Sequence, residues 1–354
     1  MVNRSKNKQH IVIIGGGLAG LSAAEWLLRQ KLPPKVTIVE SSDRLGGVIE
    51  TVNQGEWLIE RSADSFLSVR PEGIELVERL GITKELISIN PEARRALIWS
   101  SQKGSDRGAL LPVPQGFRLL APGRIIPFMR SNILSCFGRL RVAGERFIPR
   151  RSHNNLDESL ESFVVRRLGQ EAFDKLVQPL VSGIWTADPR RLSMAAACPE
   201  FLKMEQDWGS LTKGEKKRAA LANDTSDSSG ARYGQFVSFK RGMQTLIDAL
   251  ESRLRNAGVL VVQDHVRSLQ RDGSEWQVAL GNQSIRADGV VLGVPASTAA
   301  TMVSTMSPNL SSELKMIKFS GAAVVSLGFD RRDVSHSLQA AGMIIPKVAG
   351  KRIL

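Results

Sequence analysis

Cysteine is almost missing from this chain. Cys136 and Cys198 are the only two among 354 residues, which excludes a disulfide framework and suits a reducing compartment. The four histidines lie apart, without the spacing of metal ligands, so no metal is expected. No apolar run reaches the roughly 18 residues that a membrane-spanning helix needs. Met1–Gln9 is polar and basic and lacks the apolar core of a signal peptide, so the expected location is cytoplasmic. Acids are scarce beside bases, 35 against 48, for a net charge of +13. Such an excess suits nucleic acid, an acidic membrane surface or an anionic substrate. Nucleic acid is not an expected partner, because no nucleic-acid motif is present and only one tyrosine and twelve phenylalanines offer stacking.

The positive charge is local. From Arg118 through Arg151 there are eight arginines, no lysine and one acid, Glu145, interleaved with Ile125, Ile126, Phe128, Met129, Ile133, Leu134, Phe137 and Leu140. A basic amphipathic segment of this kind can rest on the inner face of an anionic membrane as a peripheral contact. The same pattern also describes a solvated basic helix face packed inward on its apolar side.

What the chain does have is glycine in a telling place. Gly15-x-Gly17-x-x-Gly20 follows the apolar run Ile11–Ile14, and Glu40 lies twenty residues beyond the last glycine. The run predicts a buried parallel strand. The first glycine permits a tight turn, the second lets backbone approach a pyrophosphate, and the third lets the helix Leu18–Gln30 pack on the strand. That helix aims its free N–H groups at the phosphates. A second strand, Lys35–Val39, ends at Glu40, whose carboxylate can accept both ribose hydroxyls and disfavours a 2′-phosphate. Strand, helix, strand and acid in register predict a dinucleotide site.

The next residues favour FAD over NAD. Ser41-Ser42-Asp43-Arg44-Leu45-Gly46-Gly47 is a second glycine turn, which the longer, extended flavin nucleotide requires and NAD does not. Arg44 can offer a fork to phosphate, and Gly46-Gly47 leave room for the flavin. An ordinary polar turn would have the same spacing.

Helices are expected at Ile74–Leu80, Leu160–Leu168, Ala172–Val181 and Gly242–Ala257. Strands are expected at Ala96–Trp99, Leu110–Val113, Val259–Val262, Val290–Val294 and Ala322–Phe329, and a hairpin pair at Trp276–Leu280 and Ile285–Ala287. Lys213–Arg232 reads as an exposed linker. The expected order is an FAD-binding part over 1–78, a mostly helical substrate and membrane-associating insertion over 79–212 and a linker over 213–232. A second FAD-binding part follows over 233–297, and the start of a substrate-binding sheet over 298–354. The fold class is thus α/β, a Rossmann-type FAD-binding domain interleaved with a helical domain and a mixed-sheet substrate domain.

Several segments resemble the flavin-dependent protoporphyrinogen oxidases, within the amine-oxidase-like flavoprotein superfamily. Gly15–Gly20, Glu40 and Arg44-Leu45-Gly46-Gly47 mark the superfamily. More specific are Glu60–Phe66, Leu111–Arg118, Arg167-Leu168-Gly169 with Pro179–Met194, and Phe239–Leu246, in order along nearly the whole chain. Ser62-Ala63 stand where the family has Gly-Pro, and Ala187 where it has glycine. Members continue beyond the position matching residue 354 into a glycine-rich turn and helix that cap the flavin. A fragment, or a truncated relative inactive by itself, is therefore expected.

The resemblance implies FAD- and oxygen-dependent oxidation of protoporphyrinogen IX to protoporphyrin IX in heme biosynthesis. Coproporphyrinogen III is an alternative substrate, and an amine or carotenoid oxidase or an inactive flavin-binding remnant are alternative identities. It implies a cofactor-binding set of Gly15, Gly16, Gly17, Leu18, Ala19, Gly20, Glu40, Ser41, Arg44, Gly46, Gly47, Val48, Ser62, Ala63, Asp64, Ser65 and Val266. No side chain is implied as catalytic, since the flavin takes the hydride. Arg118 matches the position that binds a propionate, and Gly183 matches the wall of the substrate cavity. On sequence alone Arg118 could equally be one surface arginine among eight, Gly183 a helix C-cap, and Val266 a packing residue.

Overall fold

A computed structural model describes residues 8–68, 70–90, 96–101, 108–151, 157–185, 187–221 and 236–351. The chain forms two compact units. The first joins Met1–Ile87 to Val237–Phe319 and Ala323–Ser326. The second comprises Ser88–Phe236, Ser320–Ala322 and Leu327–Leu354.

The first unit is built on a four-stranded parallel sheet. The opening strand β1 (His10–Ile14) lies between β2 (Lys35–Glu40) and the strand Gly289–Leu292, and Leu260–Gln263 pairs on the far side of β2. The sheet is buried on both faces, which is why its strands are apolar runs rather than alternations. Ile13 and Ile38 enter one core with Leu21 and Ala24 of helix α1 (Leu18–Leu28) and with Ile247, Leu250 and Leu254. Val12, Ile14 and Val39 enter a core on the opposite face with Leu269, Val278 and Met302. The second face also carries the antiparallel meander Ser268–Asp272, Glu275–Ala279 and Ser284–Ala287, which includes the expected hairpin pair.

A hairpin follows the second glycine turn, β3 (Thr51–Gln54) against β4 (Trp57–Glu60). It holds the start of the helix Gln244–Asn256. The Met243 N–H donates to Glu60 Oε1 at 2.7 Å, the Gln244 N–H to Thr51 Oγ1 at 3.0 Å, and Thr51 Oγ1 to Glu60 Oε2 at 2.8 Å. A carboxylate here meets orphan donors and the positive end of the helix dipole together. This accounts for the chemistry shared by the Glu60 and Phe239–Leu246 segments, which are remote in sequence.

Two expected elements differ in this part of the chain. Residues 298–316, expected to begin a sheet, form helices at Ala296–Val303 and Pro308–Met316. Alanines at 296, 299 and 300 favour helix, and Pro308 occupies a first-turn position that needs no N–H. Ala322–Phe329 belongs to no helix or strand, and Val324, Val325, Leu327 and Phe329 are exposed. Alternation specifies faces; a strand also needs a partner for its N–H and C=O groups.

The second unit has a three-stranded sheet in which Ala96–Ser101 pairs antiparallel with Gly108–Pro112 and parallel with Gly342–Ile344. Its core is mostly helical: Phe163, Val164 and Leu168 of the helix Leu160–Leu168 pack with Phe117, Phe128, Leu176 and Leu180. A continuous helical run over 170–185 widens into a π-turn at Phe173–Val177. Pro179 lies two residues beyond it, and a proline ring clashes with the carbonyl four residues back; the wider turn gives that carbonyl room.

Arg167 is the largest fully buried side chain of this unit. Its guanidinium meets the equally buried Glu145, and donates to Gly209 O at 2.9 Å and Ile148 O at 2.9 Å. Glu145 also accepts from Ser210 Oγ at 2.7 Å and the Leu211 N–H at 2.9 Å. Beside them Arg166 bridges Glu205 at 2.7 Å and Glu158 at 2.8 Å. Burial pushes the Glu205 carboxyl up, but hydrogen bonds and charge from Arg166, then the charge of Arg167, hold it below its usual value.

The Glu145 anchor starts the helix Leu211–Leu221, whose Glu215 is buried. Residues 213–221 are thus helix rather than the expected linker. Ser210 Oγ accepts from the Lys213 N–H at 3.2 Å and caps it. Residues 222–232 of that expected linker lie outside the described residues.

Glu145→Gln should deprive the buried Arg167 guanidinium of its nearest carboxylate, with Glu205 still 3.3 Å away, and lower unfolding free energy by about 3 kcal/mol, the low end for a broken buried pair. Urea unfolding followed by far-UV circular dichroism measures this; an unchanged midpoint would show that the pair is dispensable.

Candidate functional site

The site in the first unit is made by two glycine turns pressed together. At Gly20 a Cβ would overlap the Gly15 carbonyl oxygen, so only glycine lets α1 begin this close to β1. Gly15 turns the chain with φ of +102°, and its N–H donates to Val39 O at 2.8 Å. The second turn docks on the first: the Gly46 N–H donates to Gly16 O at 2.8 Å, and a Cβ on Gly47 would sit 3.1 Å from the Gly17 Cα. A Cβ on Gly16 would collide with Leu45.

Gly17 is the N-cap of α1, with an extended backbone. No side chain among the described residues caps this helix, and its first turn holds no acid. The first-turn N–H groups around Leu18, Ala19 and Gly20 therefore face a position suited to an anion. A Cβ at Gly17 itself would meet only the Gly47 Cα, at 3.8 Å. The backbone is thus bare where a pyrophosphate has to approach, and the residues fit the dinucleotide part of FAD.

Glu40 ends β2 and closes one side of the cradle. Its Oε2 accepts from the Gly16 N–H at 2.6 Å. Its Oε1 accepts from the Ser42 N–H at 2.9 Å, Ser42 Oγ at 3.0 Å and Ser41 Oγ at 3.3 Å. Burial raises its pKa, but the N–H groups of Ser42 and Gly16 and the serine hydroxyls outweigh this and hold it below the usual value. The carboxylate stays ionised at neutral pH. Its contribution to stability is present above its ordinary pKa and is lost as pH falls through the lowered one.

The other expected cofactor residues divide. Arg44 is turned onto its own loop: it donates to Gly47 O at 2.6 Å and Ile49 O at 2.9 Å, and lies 3.5 Å from Glu50. Its role in the structure is to brace the second turn, and no open fork for phosphate is formed. Val48 is a large apolar residue left 76% exposed beside Gly46-Gly47. Ser62, Ala63, Asp64 and Ser65 follow β4; Asp64 O accepts from Ser238 Oγ at 2.6 Å and Asp64 Oδ1 from Ser65 Oγ at 2.7 Å. Val266 packs partly buried on the second core. Its N–H and C=O make no hydrogen bond among the described residues.

Two expected substrate residues lie in the second unit. Gly183 is in the last turn of the helix Gln178–Trp185, not in a loop, and a Cβ there would meet nothing within 4 Å among the described residues. It therefore borders open space without being required by packing. Arg118 sits on the two-residue strand Phe117–Arg118, with its Nε 3.3 Å from Glu215 Oε1. Sequence reasoning missed Glu215 because its segment reads as polar linker. The available signals were Ser210, an N-cap residue, and the three-residue spacing of Glu215 to Arg218.

Comparison with known proteins follows the same lines. The profile of the flavin containing amine oxidoreductase family matches residues 18–351. A coproporphyrinogen III oxidase of Bacillus subtilis is 33% identical over 348 residues, 97% of this chain and 71% of the relative. A protoporphyrinogen oxidase of Bos taurus is 30% identical over 357 residues, 95% of this chain and 70% of the relative. The crystal structure of a candidate protoporphyrinogen oxidase from Exiguobacterium superposes with a TM-score of 0.70 at 27% identity, covering 83% of this chain and 61% of that one.

Gly17→Ala should leave the unfolding midpoint nearly unchanged, since its Cβ meets no close atom, yet abolish tight FAD uptake. Glu40→Ala should weaken FAD binding by about 1–3 kcal/mol, the worth of a lost charged acceptor. Flavin fluorescence titration measures both, and wild-type affinity in either variant would place the nucleotide elsewhere.

Proposed function

Because the chain belongs to the flavin containing amine oxidoreductase family, we propose that it oxidises a porphyrinogen to the corresponding porphyrin, with FAD as cofactor and molecular oxygen as final acceptor. The observation that carries this reading is the collinear similarity, over nearly all of the chain, to proteins named as porphyrinogen oxidases. Protoporphyrinogen IX is the leading substrate. Coproporphyrinogen III is the second, favoured by the name of the 33% identical Bacillus relative.

When bound, FAD supplies the hydride acceptor. The protein's task is to bind and orient. The start of α1 and the docked Gly46-Gly47 turn hold the pyrophosphate, Glu40 receives the ribose hydroxyls, and Arg44 keeps the second turn in shape. Ser41, Val48, Ser62, Ala63, Asp64, Ser65 and Val266 complete the proposed cofactor set. On the second unit Arg118 anchors a propionate, and Gly183 leaves room for a flat ring. A propionate contact lies far from the reacting methylene bridge, so it binds substrate and transition state alike.

Peripheral contact with a cytoplasmic membrane face is part of the proposal. Among the described residues no helix is long and apolar enough to cross a membrane. The arginine-rich segment divides its apolar residues: Phe128, Ile133 and Leu134 are buried, whereas Ile126, Phe137, Leu140 and Phe147 are exposed. Arg124, Arg130, Arg146 and Arg150 are exposed on the same segment. Apolar and cationic groups exposed together fit an anionic lipid surface.

Two measurements test these statements. The FAD-loaded product of the whole reading frame should raise porphyrin fluorescence above the rate of air oxidation, faster with its true substrate of the two porphyrinogens; no rate above air with either would overturn the assignment. The protein should sediment with anionic vesicles and be released by salt, whose screening length falls to about 8 Å at physiological strength. Absence from the vesicle pellet at low salt would remove the membrane contact from the proposal.

A further inference from the structure

The parts of the nucleotide site follow the order of the parallel sheet. The bare phosphate cradle lies between β1 and α1, and Glu40, the proposed ribose acceptor, ends β2. On the far side of β2 is the strand Leu260–Gln263, whose last residue lies in register with Glu40. Neighbouring strands are about 4.8 Å apart. A nucleotide laid across these strand ends, with phosphate at β1 and ribose at β2, brings its base to the loop that leaves the third strand, residues 264–266.

That loop is tied at both ends. The Asp264 N–H donates to Glu40 O at 2.9 Å, and the Arg267 N–H donates to Ala279 O at 2.8 Å. Between them the Asp264 carboxylate holds the chain. Its Oδ1 accepts from the His265 N–H at 2.7 Å, and the Gly281 N–H donates to Oδ1 at 3.2 Å and Oδ2 at 3.3 Å. One side chain thus turns the loop on itself and pins it to the meander. Gly281 leaves it room, since a Cβ there would come within 3.1 Å of Asp264 Oδ1. Val266 packs on the second core through its side chain. Its N–H and C=O, which make no hydrogen bond among the described residues, remain as one donor and one acceptor. Adenine offers the complementary pair on one edge, N1 as acceptor and the N6 amino group as donor. Hypoxanthine reverses both, with a protonated N1 and a 6-oxo group.

We propose that Asp264 is a positioning residue for the base of the bound nucleotide: by fixing the loop 264–266 it holds the Val266 N–H and C=O where they accept a 6-aminopurine and reject a 6-oxopurine. This rests on the reading of Val266 as part of the cofactor set.

The test compares FAD with flavin hypoxanthine dinucleotide, its deaminated form, which keeps the rest of the molecule. Flavin fluorescence titration gives both dissociation constants for the wild type, D264A and D264N. The wild type should bind FAD about tenfold or more tightly than the deaminated form, because the hypoxanthine edge sets donor against donor and acceptor against acceptor. D264A should weaken FAD severalfold, leave the deaminated form nearly unchanged and bring the ratio near one. A merely structural defect would weaken both compounds alike. D264N should keep most of the wild-type ratio, since an amide oxygen still accepts from the His265 and Gly281 N–H groups. A wild-type ratio near one would overturn the reading of Val266 and the proposal with it. A clear wild-type preference that D264A retains, equal weakening of both compounds in D264A, or a ratio lost in D264N as in D264A would overturn the positioning role of Asp264 alone.

Discussion

The first unit depends on a contact that only glycine permits. At Gly20 the backbone of α1 lies against the Gly15 carbonyl with no space for a Cβ. From that contact follow the direction of the helix, the position of its uncapped N–H groups and the surface on which Gly46-Gly47 dock. The parallel sheet supplies the rigid base, because its strands are buried on both faces. Phosphate chemistry needs a bare backbone at a helix start, and close packing of three backbone segments provides it.

Charge is used differently in the two units. Around the cradle, carboxylates serve backbone donors: Glu40 holds Gly16 and Ser42, and Glu60 holds the start of the helix Gln244–Asn256. In the second unit carboxylates are buried against arginines. Glu145 with Arg167, Glu205 with Arg166 and Glu215 with Arg118 tie together segments far apart in sequence. A buried pair contributes modest net stability, but removing one member leaves an uncompensated charge, so these pairs specify arrangement. The basic excess of the chain is therefore partly structural. The arginines at 118, 141 and 151 are engaged by Glu215, by the carbonyls of Arg166 and Arg167, and by Glu158. The lipid-facing reading rests on the exposure of Arg124, Arg130, Arg146 and Arg150, whatever else they contact.

The elements legible in the sequence were those defined by local pattern. The β1–α1–β2 unit, its glycine spacing and Glu40 occupy some thirty consecutive residues, and the contact that demands Gly20 comes from Gly15, five residues away. The buried strands and the amphipathic helices followed from periodicity: Leu160–Leu168 has the expected ends, and the helix expected at Gly242–Ala257 runs from Gln244 to Asn256. Pattern failed where it was ambiguous or incomplete. The helices over 296–316 fell within a stretch assigned to a sheet although its alanines favour helix, and Ala322–Phe329 alternates without a ladder partner.

The sequence by itself thus determined the kind of cofactor cradle, because a dinucleotide loop is made of adjacent residues whose geometry is set by missing side chains. Only the tertiary structure decided what the charged side chains do. Arg44 braces its own turn, Arg118 is held by a glutamate from a segment that reads as linker, and Glu60 caps a helix nearly two hundred residues away. A long flexible side chain can reach many partners, and which one it meets depends on how distant segments pack, which no local pattern records.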